Sequence, residues 1–137
     1  MAAPGTVAGA PVWEPRVRSV LRIVAAFLFM LSGTSKLFGW PVPMPEGEPP
    51  LVLMSQIGIG AMLEFGGGAL LVIGLFTRPV AFILSGMMAV AYFQFHFPGG
   101  FWPTANGGVP AVLYCFIFLY FSVAGAGSIS VDAMRRK

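Results

Sequence analysis

Four runs of apolar residues alternate with segments rich in proline or glycine, and they set the predicted elements. The runs cover about residues 20–38, 51–76, 80–96 and 110–125. As a helix rising ~1.5 Å per residue, the run at 51–76 spans about 39 Å, more than the ~30 Å hydrocarbon core of a bilayer. Residues 39–50 carry five prolines and are excluded from helix, and 97–109 (FPGGFWPTANGGV) reads as a second loop. Thr77-Arg78-Pro79 predicts a short turn. The expected fold is therefore all-α, an integral membrane four-helix bundle, with one compact domain over 16–127. A loose Ala/Gly/Pro-rich tail is expected at 1–15, where the basic n-region of a cleaved signal peptide is missing, and a basic tail at 128–137.

Composition agrees. The chain is 57% hydrophobic and 9% charged, with a mean hydropathy of +0.84, whereas soluble domains carry roughly a quarter charged residues. The net charge of +3 does not imply nucleic acid as a partner, because the basic residues sit at the ends of apolar runs. Arg16, Arg18, Arg22, Arg78, Arg135, Arg136 and Lys137 fall on one side, and Glu46 and Glu48 on the other, with Lys36 near that rim. The positive-inside rule then puts both termini in the cytoplasm, and an even number of spans returns the chain to its starting side. One cysteine excludes an internal disulfide. With only one histidine as well, no standard zinc or bis-histidine haem site is expected, so the chain brings no redox centre of its own.

Charge inside the second run is confined to Glu64. A carboxylate at that depth costs roughly 2.5–3.5 kcal/mol on insertion scales, so it needs a partner, a proton or a function. Gln56, Gly60, Glu64, Gly67, Gly68, Leu71 and Gly74 recur at three- or four-residue spacing and share one helix face. Gly60, Gly67 and Gly68 are therefore structural candidates that admit a neighbouring helix, and Glu64 is expected to face protein. Lys36 shares a stripe with Phe29, Ser32 and Gly33 on the first run. Depth arithmetic leaves about 9 Å along the helices between Lys36 and Glu64, within reach of the two side chains; the alternative is a Lys36 that snorkels to headgroups.

His96, one turn beyond Tyr92, can titrate near neutral pH, and could pass a proton or hydrogen-bond a quinone carbonyl. An interfacial histidine bonded to water or backbone is the bland reading. Glu64 and His96 are the catalytic candidates; Lys36, Gln56, Tyr92, Trp102 and Asn106, all in the outer half, are the substrate-binding ones. An interfacial aromatic belt explains Trp102 equally well. Cys115 has no predicted base nearby and reads as a small core residue.

Arg22, Gly33-x-x-Lys36, Glu64-x-x-Gly67, Gly74-Leu-x-Thr-Arg78, His96 and Gly125-x-Gly-x-x-Ser-x-Asp132 stand in an order and spacing that resembles the DoxX family of small bacterial membrane proteins. The resemblance runs from Arg16 to Asp132. It implies four transmembrane helices, residence in the bacterial inner membrane and association with membrane redox systems, since the family's name comes from subunits of thiosulfate:quinone oxidoreductase. It points to Arg22, Lys36, Glu64 and His96, with Arg22, Arg78 and Asp132 as structural positions. One departure is visible: related sequences often carry an acid after the Gly-Gly that opens the fourth helix, and here Val109 follows Gly107-Gly108.

The leading expectation is an accessory, or quinone- or small-substrate-binding, subunit of a redox assembly, with a membrane or peripheral oxidoreductase as partner and quinone as the possible cofactor. The competing readings are a small proton-coupled transporter subunit, working as a homo-oligomer, and a scaffold that docks another membrane protein.

Overall fold

The computed structural model describes residues 12–136 and is all-helical over them. Helix α1 (Glu14–Phe38) starts earlier than the apolar run, because Glu14 and Pro15 suit a first turn. The tail expected at 1–15 thus ends at the helix start, and its residues 1–11 lie outside the described residues. Gly39 ends α1 in the left-handed region (φ 68°), its N–H donating to the Ser35 carbonyl at 3.0 Å.

Helix α2 (Gln56–Ile73) is shorter than the expected 51–76. Ser55 caps it by accepting the Gly58 N–H at 3.1 Å, and Gly74 (φ 73°) closes it. Helix α3 (Thr77–Ala91) therefore begins inside the segment expected to be a turn, with Pro79 tolerated in its first turn. The connection between α2 and α3 moves back to 74–76. Beyond Ala91 the helix widens into a π-turn, Tyr92–His96, and tightens into a 3₁₀ turn, Phe97–Gly99. After the short α4 (Pro103–Asn106) comes α5 (Val109–Ala124), with Pro110 in its first turn as expected. The C-terminal segment packs against the bundle and carries a single helical turn, α6 (Val131–Arg135), capped by Ser130.

Among the described residues, three helical spans are long and apolar enough to cross a membrane: Glu14–Phe38, Gln56–Ile73 and Thr77–Gly99. Val109–Ala124 is the fourth apolar helix, shorter at 16 residues or about 24 Å. Large apolar side chains point outward, with Phe82 and Phe116 both 64% exposed, while Arg22 and Glu64 are 1% and 6% exposed. Apolar outside and polar inside is the arrangement a lipid environment favours.

The bundle is built from two antiparallel pairs, α1 on α2 and α3 on α5. Phe29 joins them, meeting Phe118 edge-on at 4.9 Å and Tyr114 at 5.2 Å. Leu71, Leu84 and Phe121 complete the buried centre.

Candidate functional site

Helix α2 carries Glu64 two turns in from its cap, and a close approach of α1 decides what it meets. A Cβ placed on Gly33 would lie 2.7 Å from the Phe65 amide nitrogen, 2.8 Å from the Ala61 carbonyl oxygen and 2.9 Å from the Glu64 Cβ. Only glycine lets the backbones come this near. Three residues on, Lys36 reaches across, and its Nζ donates to Glu64 Oε1 at 2.8 Å. The pair is lopsided: the Lys36 side chain is 30% exposed and that of Glu64 8%. Glu64 Oε2 is buried and has no hydrogen-bond partner among the described residues.

Beside the pair lies a cavity of about 400 Å³ between α1, α2, α3 and α5. Lys36, Gln56, Glu64 and His96 form part of its wall, together with Ser32 and Tyr114. Phe29, Met87, Met88 and Ala111 supply apolar surface, and Met44 of the α1–α2 loop borders it. Gly60 also lines it, with no atom within 4 Å of where its Cβ would stand. Gly67 and Gly68 lie deeper as packing positions: a Cβ on Gly67 would stand 3.0 Å from Leu84 Cδ1 and one on Gly68 2.8 Å from Met30 Cβ.

Several expected site residues are employed elsewhere. Tyr92, 8% exposed, is not in the cavity wall; its hydroxyl donates to the Phe101 carbonyl and accepts from Asn106 Nδ2 at 3.3 Å. Asn106 is a loop staple, donating to the Gly100 carbonyl at 2.7 Å and accepting the Gly108 N–H at 2.8 Å. Trp102 is 68% exposed and packs edge-on against Phe101 at 5.1 Å. Gln56 borders the cavity, but both ends of its amide are bound to Gln94, at 2.5 and 2.8 Å. His96 remains, its Nδ1 lying 3.2 Å from the Asn106 carbonyl oxygen and its ring stacked on Tyr92. Sequence reasoning missed Gln94 and the cavity-lining methionines. Gln94 lies in the π-turn, where regular helical spacing is broken, while Met87 and Met88 read as ordinary apolar positions of the third run and Met44 as part of a loop.

The opposite end of the bundle is closed by a second polar cluster. Arg22 Nε donates to the Leu71 carbonyl at 2.7 Å, Nη2 to those of Ile129 (2.7 Å) and Val72 (3.3 Å), and Nη1 to that of Ala126. The guanidinium thus satisfies carbonyls left over at the end of α2 and ties down the C-terminal segment. Asp132 caps α3 from that segment, its two oxygens accepting the Phe76 and Thr77 N–H groups at 2.9 Å each. Burial raises the Asp132 pKa, but the bonds from Thr77 and Phe76 and the Arg135 charge outweigh this and hold it below the ordinary 3.8. Arg78 is exposed and lies along Gly125.

These two clusters carry most of the motif residues. The DoxX family profile matches residues 17–97. The chain belongs to the DoxX family. Curated relatives extend the match over most of the length. An uncharacterized protein of Haemophilus influenzae is 42% identical over 127 residues, covering 88% of this chain and 91% of the relative. Inner membrane protein YqjF of Escherichia coli is 28% identical over 124 residues, covering 86% and 91%. A second uncharacterized Haemophilus influenzae protein is 29% identical over 126 residues, covering 86% and 82%. No solved structure matches the chain. As a DoxX-family membrane protein, the chain has Arg22 and Asp132 in the closed end, and Lys36, Glu64 and His96 around the cavity.

Proposed function

We propose that this DoxX-family protein is an accessory subunit of a bacterial inner-membrane redox system, binding a quinone or a comparably small, ring-shaped molecule in the cavity beside Glu64. The observation that carries this reading is the cavity itself: about 400 Å³, mostly apolar, with a buried carboxylate that its lysine partner satisfies on one oxygen only. Apolar walls with a few convergent polar groups are how small-molecule sites are built, and an intramembrane ionisable pair is rarely kept without a task. The name of the Escherichia coli relative supports the inner membrane. The clustering of basic residues at the Arg22 end favours cytoplasmic termini and a cavity in the outer half of the bilayer.

In this reading Glu64 exchanges the proton, Lys36 pairs with its carboxylate, and His96 holds the ligand's polar end. Electrons pass to or from a membrane or peripheral oxidoreductase, which the protein assists. The test is purification in mild detergent, with mass spectrometry of retained small molecules and protein partners. Wild type is expected to retain a quinone-type molecule, and Gly60→Leu to lose it while melting near the wild-type temperature, because the new side chain has open cavity to fill. No retention by wild type, or equal retention by both, would overturn the reading. Proton-coupled flux in liposomes without retention would favour transport instead, and a stable heteromer with neither activity a scaffold.

A further inference from the structure

The arginines at the closed end divide by what holds them. Arg18 and Arg22 are buried and direct their N–H groups to protein: Arg22 to four backbone carbonyls, Arg18 to the Ala124 carbonyl and the Glu14 carboxylate. Arg78 and Arg135 are exposed, and the contacts that hold them use no donor. The Arg135 guanidinium lies over the Phe76 ring, its carbon 5.0 Å from the centroid. That of Arg78 lies along Gly125, where a Cβ would stand 3.2 Å from Nε and 3.4 Å from Nη2. Packing over a ring or along bare backbone orients a guanidinium and leaves its N–H groups available. Among the described residues, neither Arg78 nor Arg135 has a carboxylate in salt-bridge range. The carboxylates nearby are engaged, Glu14 by Arg18, and Asp132 by the Phe76 and Thr77 N–H groups.

Both side chains border the start of α3, at the level where the span Thr77–Gly99 begins. From there the surface turns apolar at once. Phe82, four positions on from Arg78 and so on the same side of α3, is exposed, as is Val123 just before the end of α5. We propose that Arg78 and Arg135 form a headgroup site for an anionic phospholipid, holding its phosphodiester while an acyl chain lies along Phe82 and Val123. The guanidinium fork matches phosphate oxygens two at a time, and basic groups at the membrane surface favour lipids of net negative charge. A zwitterionic headgroup sets its own cation against the same arginines. An acidic soluble protein would meet the charges but not the apolar surface beneath them. The site does not depend on what fills the cavity.

The experiment is native mass spectrometry of the purified protein in a neutral detergent, with equal amounts of dioctanoyl phosphatidylglycerol and dioctanoyl phosphatidylcholine. Wild type is expected to favour the phosphatidylglycerol about tenfold or more. In Arg78→Gln/Arg135→Gln, at two exposed positions, the preference should fall to about threefold or less, with the circular dichroism unchanged. Arg136→Gln removes the same charge from the neighbouring residue and should leave the preference close to that of wild type. A smaller preference in wild type overturns the proposal whether or not any variant folds, and leaves the two arginines to an acidic protein. A preference that persists in the folded double variant also overturns it. So does Arg136→Gln lowering the preference as far as Arg135→Gln, because net charge rather than a site would then be responsible. If the double variant does not fold, Arg78→Gln alone should still lower the preference, and no change there is equally fatal. Displacement of the lipid by an equal concentration of glycerol 3-phosphate would make this a site for soluble phosphate and overturn the lipid.

Discussion

Each end of the bundle buries charge, Arg22 with Arg18 nearby at one and Glu64 at the other, and Arg22 and Glu64 are treated in opposite ways. At one end the Arg22 guanidinium is 1% exposed and reaches four backbone carbonyls. At the other, Glu64 is 6% exposed and has one partner for two oxygens, beside open space. A charge whose bonds are filled by backbone is part of the architecture, and a charge left half-filled beside a cavity is available for something else. Burial alone does not separate the two; the tally of partners does.

Removing Arg22 should break the contrast most severely. Arg22→Ala strands carbonyls at the end of α2 and frees the C-terminal segment, with an expected loss of about 3–5 kcal/mol, measured by thermal unfolding in detergent. Limited proteolysis should then cut within 125–136. Arg22→Lys should not rescue, because one ammonium cannot copy a guanidinium fork.

Gly33→Val comes next, since its side chain would collide with α2 backbone rather than with a flexible group. The expected cost is about 1–3 kcal/mol, with Lys36 and Glu64 drawn apart. A double-mutant cycle with Lys36→Met would read that as a lost coupling between the two.

Lys36→Met tests the half-filled end directly. With Lys36 already part-exposed, the stability loss should be small, about 1 kcal/mol by thermal unfolding in detergent. If Arg22→Ala and Lys36→Met cost the same, the two ends do not differ as described.

The mildest test is acid. The folded pKa of Asp132 is depressed, so its contribution is complete above the unfolded value near 3.9 and is lost as pH falls through the folded value. Asp132→Asn should flatten that part of the stability profile, with the difference between the two proteins closing below about pH 4.

Much of the layout could be read from the chain. The four apolar runs became the four long helices, and Lys36 meets Glu64 because depth and the Gly33 spacing bring them together. Other positions make contacts that the sequence pattern does not reveal, for local reasons. Tyr92 and Asn106 share hydrogen bonds that shape the 97–108 loop, and irregular backbone leaves no periodic trace. The π-turn interrupts the 3.6-residue register used to group Tyr92 with His96 against a common ligand. Arg18 and Arg22 count as flanking charges in a topology rule, yet both are buried, and charge alone does not distinguish a headgroup contact from a backbone clamp.

The turn at 74–76 joins the two helix pairs at the Arg22 end, where the C-terminal segment also binds them together. Mechanically this is a pair of tongs, with its pivot at the clamp and its jaws at the cavity. The arm is the length of α2, 18 residues or about 27 Å. A rocking of about 5° at the pivot would displace the jaw tips by about 2 Å, roughly the width of a hydrogen atom. The stiffness of the closed end therefore sets how far the open end can gape.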